Sequence, residues 1–268
     1  GDRHMVGNDV VTNNGILRLV INLDRSPERM RSISQQLVVR DLHFERLPAV
    51  DGRKLAQEEL SRLEAPYDAP EKFVFEGVVA KWKSVFFVAY GLLEEAVKSG
   101  CEWGLIMEDD IVLSPRFKLF ATSSEWIPEG VRVIQLHGSH QSFAVGESYP
   151  VRDTELCRIL NPTPLCSFAY LMHREAAAYA LASYIPISAP VDDWLFCPYS
   201  DFAKRFPPHR LLSACVASLG APSDIGARAT RQRLPNSVKV RLLRGAKSGA
   251  YRLSMLFRKK VFLTFGYD

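Results

Sequence analysis

The chain has 268 residues, 47% hydrophobic and 24% charged, with a net charge of +4. These values suit an ordinary soluble globular protein of one large domain or two small ones. Five scattered cysteines with no C-x-x-C pair argue against a disulfide scaffold or a zinc site, and fit a reducing cytosol. No run of eighteen apolar residues occurs, so no transmembrane helix is expected.

The first four residues, Gly1 to His4, read as a cloning remnant ahead of Met5. Ile16 to Leu23 reads as a buried strand, because apolar residues fill nearly every position. Ser26-Pro27-Glu28 then starts a helix, with a Ser cap, Pro at the first position and an acid in the first turn. That helix should reach about Arg40, and His43 to Val50 reads as the next strand. Strand, helix, strand favours a parallel pair joined by a crossover. Asp51 to Glu76 is polar and reads as a short helix and a loop. Val78 to Ser99 reads as a long buried helix ending at Gly100. Trp103 to Met107, Val131 to Leu136, Ser167 to Met172 and Leu211 to Ala217 read as strands. Glu175 to Ser183 reads as an Ala-rich helix, and Val191 begins another after Pro190. The alternation predicts an α/β fold with a mostly parallel central sheet.

The strand from Trp103 delivers three consecutive acids, Glu108-Asp109-Asp110, before a second apolar run, Ile111-Val112-Leu113. Carboxylates drawn out of water need a partner or a metal. Hard cations such as Mg²⁺ and Mn²⁺ take oxygen ligands from one or two carboxylates and from substrate phosphates. The triplet therefore suggests a metal holding a diphosphate; the plainer alternative is a solvated turn. Ligands of such sheets bind beyond the carboxyl ends of the strands, which brings Asn22-Leu23-Asp24-Arg25 and the triplet to one edge.

Val20-Ile21-Asn22-Leu23-Asp24-Arg25-Ser26-Pro27-Glu28-Arg29, followed some eighty residues later by Met107-Glu108-Asp109-Asp110-Ile111, resembles glycosyltransferase family 25. That family includes lipopolysaccharide and lipooligosaccharide galactosyltransferases. Ala169-Tyr170-Leu171-Met172, Pro190-Val191-Asp192 and Ser223-Asp224-Ile225 follow in the family's order. The resemblance implies a GT-A type nucleotide-binding fold over residues 16–225. It also implies a UDP-hexose donor, UDP-galactose being the commonest, a divalent Mn²⁺ or Mg²⁺ ion, and transfer with inversion.

On that resemblance Asp110 would ligate the metal, with Glu108 or Asp109 assisting; Asp109 would equally serve by supporting the ligands. Asn22, Asp24 and Arg25 would contact the nucleotide, although a helix-entry cap and a surface ion pair explain Asn22 and Arg25 as well. Ser223 and Asp224 would bind the donor or cap a turn. Asp192 is the candidate base for deprotonating the acceptor hydroxyl, with Asp193 the alternative; helix N-capping competes for both. His137, His140 and His209 are candidates for a third metal ligand or a phosphate contact, against a structural role for each. The chain departs from the family in its long helix. Val88-Ala89 stands where a Ser-His pair is usual, with Val85 near the preceding Cys position, and Ser218 stands near a usual Gln.

The stretch from Gly226 to Tyr267 carries eleven Lys or Arg and no acid. Leu242, Ala246, Ala250, Leu253, Phe257 and Val261 recur in it at helical spacing among basic residues. A basic amphipathic helix can lie on an anionic membrane, or pack on the core with a solvated face. The expected organisation is a flexible start (1–15), a glycosyltransferase domain (16–225) and this basic helical segment (226–268). The expected acceptor is a saccharide or glycolipid, lipopolysaccharide by family resemblance, met in the cytoplasm or at the inner face of the membrane. No nucleic-acid motif accompanies the charge. A non-catalytic saccharide- or partner-binding protein on the same fold is the alternative. A sugar nucleotidyltransferase is disfavoured, because the first strand lacks a Gly-rich phosphate loop.

Overall fold

The computed structural model describes residues 15–51, 54, 56, 58, 100–138, 142–160, 166–183, 191–219, 260–262 and 264–265. The long helix expected over 78–99, with Val85, Val88 and Ala89, lies outside these residues. So do His140, Ser223, Asp224 and most of the basic segment.

Strand β1 (Ile16–Asn22) is followed by α1 (Pro27–Val38) and β2 (Glu45–Pro48). β1 pairs in parallel with β2 on one side and with β3 (Trp103–Glu108) on the other. The crossover expected from the sequence is therefore present. Pro27 sits at the helix start as expected, but the Ser26 hydroxyl caps nothing. The Ser26 carbonyl instead accepts from the Asn22 amide nitrogen at 2.9 Å. At the other end of α1, Asp41 takes the left-handed conformation (φ 53°) that a glycine commonly supplies.

After β3 come β4 (Ile111–Leu113), a short α2 (Phe117–Ala121) and β5 (Val133–Gln135). A long hairpin follows, β6 (Ser142–Val151) and β7 (Thr154–Ile159), then β8 (Ala169–His173), α3 (Arg174–Ser183), α4 (Val191–Phe196) and α5 (Asp201–Arg205). The single late strand expected near Leu211 is three short ones: β9 (His209–Leu211), β10 (Ser213–Ala214) and β11 (Val216–Ser218). They join different sheets, because the chain must leave the central sheet to meet β4. The end of the basic segment also differs from its helical spacing. Val261 lies in β12 (Lys260–Phe262), paired with β6, and β13 (Thr264–Phe265) pairs with β10. β-branched and aromatic residues there favour an extended chain.

The fold is α/β around a nine-stranded mixed sheet, ordered β12-β6-β7-β9-β5-β8-β3-β1-β2. Its parallel pairs are β5-β9, β3-β1 and β1-β2, and the last two bring the ends of β1 and β3 to one edge. β8 runs antiparallel between β3 and β5.

Alternation along β3 sends side chains to both faces. Leu105 and Met107 join Val20, Leu171 and Leu136 under Ile33 and Leu37 of α1 and Phe117 and Phe120 of α2. Ile106 joins Leu19, Tyr170 and Met172 under Ala176, Ala177 and Ala180 of α3, Leu195 and Phe196 of α4 and Phe202 of α5. Cover on both faces explains why β3 and β8 are apolar at nearly every position.

Candidate functional site

β3 ends at Glu108, and the chain turns through Asp109 and Asp110 out of the central sheet into β4. β4 then pairs with β11, and the Leu219 amide donates to the Asp110 carbonyl at 2.9 Å. The three carboxylates meet different surroundings. Glu108 accepts from the Ser167 hydroxyl at 2.6 Å, just before β8. Asp109 is buried and accepts from the Asn22 amide nitrogen at 2.6 Å, with the Arg29 guanidinium 3.8 Å away. Burial pushes its pKa up, while Asn22 and Arg29 pull the other way. Asp110 keeps one buried carboxylate oxygen, Oδ1, with no hydrogen-bond partner. Burial, then Glu108, then Asp109, push the Asp110 pKa up to about 6, against the pull of Arg29.

Asn22 is a junction between β1, β2, α1 and this turn. Its amide nitrogen serves Ser26 and Asp109, and its Oδ1 accepts from Arg46 Nε of β2 at 3.0 Å. The side chain is thus committed to protein partners and holds Asp109 in place. Arg46 also pairs with the exposed Asp24, holding its carboxyl below the usual range through the hydrogen bond and the charge. Arg25 pairs with Asp51 at 2.8 Å, just beyond β2. A cleft of about 460 Å³ opens here, lined by Asn22, Asp24 and Arg46 and by the α1 residues Met30, Ser34 and Gln35, among others. Of the residues expected at one edge, Asn22 and Asp24 line this cleft, and Asn22 reaches the acidic turn through its bond to Asp109.

Asp192 and Asp193 occupy the first turn of α4. Asp192 and Phe196 are four residues apart and share a helix face. Phe196 packs against Tyr170 of the sheet, ring centroids 5.4 Å apart. Asp192 is half-buried, with its Oδ1 fully enclosed, whereas Asp193 is exposed. The two acids left open by the sequence are therefore different groups: one has an enclosed oxygen and the other is exposed.

His137 and His209 do not form a metal-binding group with the acids. His137 is buried with its ring 5.5 Å from that of Phe168, and burial holds its pKa well below the ordinary value. His209 is buried, donates from Nδ1 to the Pro207 carbonyl at 2.8 Å, and is pushed down to about 4, mainly by burial. Among the described residues no three His, Cys, Asp or Glu side chains converge as a ready-made metal cage. The turn suits a cation in another way. The unsatisfied Oδ1 of Asp110, in a carboxylate whose pKa burial and two neighbouring acids raise to about 6, offers an oxygen that a divalent ion would satisfy.

Several residues at the site were not singled out from the sequence: Ser167, Arg46, Arg29, Gln135 and Arg210. Gln135 of β5 donates from Nε2 to the Cys166 carbonyl at 3.0 Å and accepts at Oε1 from Arg210 Nε of β9 at 2.5 Å. Arg210 is fully buried, and burial lowers its pKa to about 10. The available signal was a polar residue inside one apolar run, Val133-Ile134-Gln135-Leu136, and a charged one at the head of another, Arg210-Leu211-Leu212. Among the described residues no helix is long and apolar enough to cross a membrane.

The crystal structure of a glycosyltransferase involved in the glycosylation of the major capsid of PBCV-1 is similar to this chain, with a TM-score of 0.42 and 11% identity. The alignment covers 78% of this chain and 94% of that one; likeness at this level carries no information on activity. No curated protein matches significantly. The sequence profile described as Glycosyltransferase family 25 (LPS biosynthesis protein) matches residues 16–195, more than half of the chain and the whole span from β1 nearly to the end of α4. The chain therefore belongs to glycosyltransferase family 25, and its activity is that of a glycosyltransferase using a sugar donor and a saccharide acceptor.

Proposed function

We propose that the protein is a metal-dependent, inverting hexosyltransferase that moves galactose from UDP-galactose to a lipopolysaccharide saccharide. The observation that carries this reading is the half-buried Asp110 carboxylate, with one enclosed oxygen lacking a protein partner, in the turn that follows β3. Asp110 would hold Mn²⁺ or Mg²⁺, with Glu108 or Asp109 assisting. When bound, the ion supplies Lewis-acid stabilisation for charge on the departing diphosphate. Asn22 and Arg29 hold Asp109 and so brace the turn beside Asp110. Asp24, which lines the cleft, and Arg25 beside it in the chain would contact the nucleotide, with Ser223 and Asp224 from the later chain.

Inversion requires a base on the face of the sugar opposite the leaving diphosphate. Asp192 takes that role. It accepts the proton of the attacking acceptor hydroxyl as the new glycosidic bond forms and the bond to the diphosphate breaks. The α4 packing of Phe196 on Tyr170 fixes where Asp192 stands. The basic stretch beyond Gly226 would bring the enzyme to an anionic membrane surface, where a lipid-anchored acceptor is presented.

Calorimetric titration with a panel of UDP-sugars, with and without Mn²⁺, tests the reading. One UDP-hexose should bind tightly only with the metal, and UDP-galactose should be that donor. Binding that ignores Mn²⁺ and leads to neither hydrolysis nor transfer would favour a non-catalytic saccharide-binding protein on this fold.

A further inference from the structure

A continuous set of hydrogen bonds runs from a fully buried arginine to the acidic turn. Arg210 Nε donates to Gln135 Oε1 at 2.5 Å, and Gln135 Nε2 donates to the Cys166 carbonyl at 3.0 Å. The next residue, Ser167, donates its hydroxyl to Glu108 Oε1 at 2.6 Å. Phe168 then accepts from the Glu108 amide at 2.8 Å. Residues 166–168 precede β8, whose pairing with β3 starts at Ala169, so they lie outside the strand ladder. Gln135 fastens the start of this segment to β5, and the bonds of Ser167 and Phe168 to Glu108 fasten the rest to β3. Arg210, Gln135 and Ser167 are all buried.

Burying a guanidinium costs several kcal/mol of lost hydration, and apolar residues of similar volume commonly stabilise a core as well or better. A buried, connected polar set is better explained by the single geometry it enforces. Here the geometry it enforces is that of Glu108. We infer that Gln135, anchored by Arg210, and Ser167 are positioning residues that set the orientation of the Glu108 carboxylate for the donor. This inference rests on the proposed donor-holding role of the acidic turn.

Gln135→Glu isolates the effect. It keeps an acceptor for Arg210 and removes the donor to the Cys166 carbonyl. The full chain is assayed for UDP-galactose hydrolysis, and for Mn²⁺ affinity in the presence of UDP by electron paramagnetic resonance. Gln135→Glu and Ser167→Ala should each lower kcat and Mn²⁺ affinity by about tenfold, the scale seen for residues that support metal ligands, while melting as the parent does. In the Glu108→Gln background either change should add less than about twofold, because groups acting through one residue are not additive.

Wild-type turnover and Mn²⁺ affinity in both Gln135→Glu and Ser167→Ala would overturn the inference. Losses that multiply with that of Glu108→Gln would also overturn it, since they mark an independent structural effect. If Gln135→Glu does not fold, Ser167→Ala decides by the same cycle. Full activity and unchanged Mn²⁺ affinity in both Glu108→Gln and Asp110→Asn would instead remove the donor-holding role of the turn, and the inference with it.

Discussion

The Asn22 amide nitrogen donates to Asp109 Oδ2 at 2.6 Å, joining the last residue of β1 to a turn 87 positions later. Both side chains are buried, so the bond holds two parallel neighbours at the edge where the acids gather. Asn22→Ala removes the closest donor to a buried carboxylate. It should cost about 1–3 kcal/mol in urea unfolding and raise the Asp109 pKa further. Unchanged stability would mean that Arg29 alone suffices for Asp109.

Asp110 makes a pH-dependent contribution of opposite sign to that of a salt-bridged acid. Its folded pKa, about 6, lies above the ordinary aspartate value of 3.8. The native state therefore holds its proton more tightly than the unfolded chain. Stability is fully present below the unfolded value and is lost as pH rises through about 6. Asp110→Asn should therefore stabilise the metal-free protein at pH 8, by less than about 3 kcal/mol because the carboxylate is partly open to solvent. The gain should vanish toward pH 4. Denaturant unfolding of both proteins across this range checks it, and a gain independent of pH would sink the assignment. Transfer should be abolished in the same variant.

The two acids of α4 separate by exposure. Asp192→Asn should lower transfer by at least about a hundredfold, the scale of general-base catalysis, while leaving UDP-sugar affinity intact. Asp193→Asn should change transfer by less than about threefold, as expected of a solvated side chain. The reverse pattern would move the base role to Asp193. Loss of donor binding in Asp192→Asn would make it a nucleotide contact.

Three buried histidines should govern the acid limb. His137, His173 and His209 all have depressed pKa values, burial being the leading cause for each, and His209 falls to about 4. They charge more readily in the unfolded chain. Their contribution is present above pH 6.5 and is lost as pH falls toward the folded values. Each withheld proton steepens the decline by about 1.4 kcal/mol per pH unit. His209→Gln should flatten the stability profile between pH 6 and 4. A profile with the parental slope would show that His209 is protonated in the native state.

Much of the fold was legible because it is local. The apolar runs of β1, β3 and β8 and the Ser-Pro-Glu entry to α1 carry their periods in a few adjacent residues. The β6–β7 hairpin was missed. Its turn has Arg152 at φ 50°, not a glycine, and Arg116 of the distant α2 region holds Asp153 there in a bidentate pair. The late strands were read as one, because their division depends on partners in three sheets.

The sequence by itself determined the α/β class, the family, and the edge where Asn22, Asp24, Arg25 and Glu108 to Asp110 meet. Those follow from residue type and short-range spacing. Only the tertiary structure decided what each acid faces: Glu108 bonded to Ser167, Asp109 to Asn22, and Asp110 with one oxygen unsatisfied. The physical reason is that the state of a buried carboxylate depends on its donors, and here those donors lie 59 and 87 residues away along the chain.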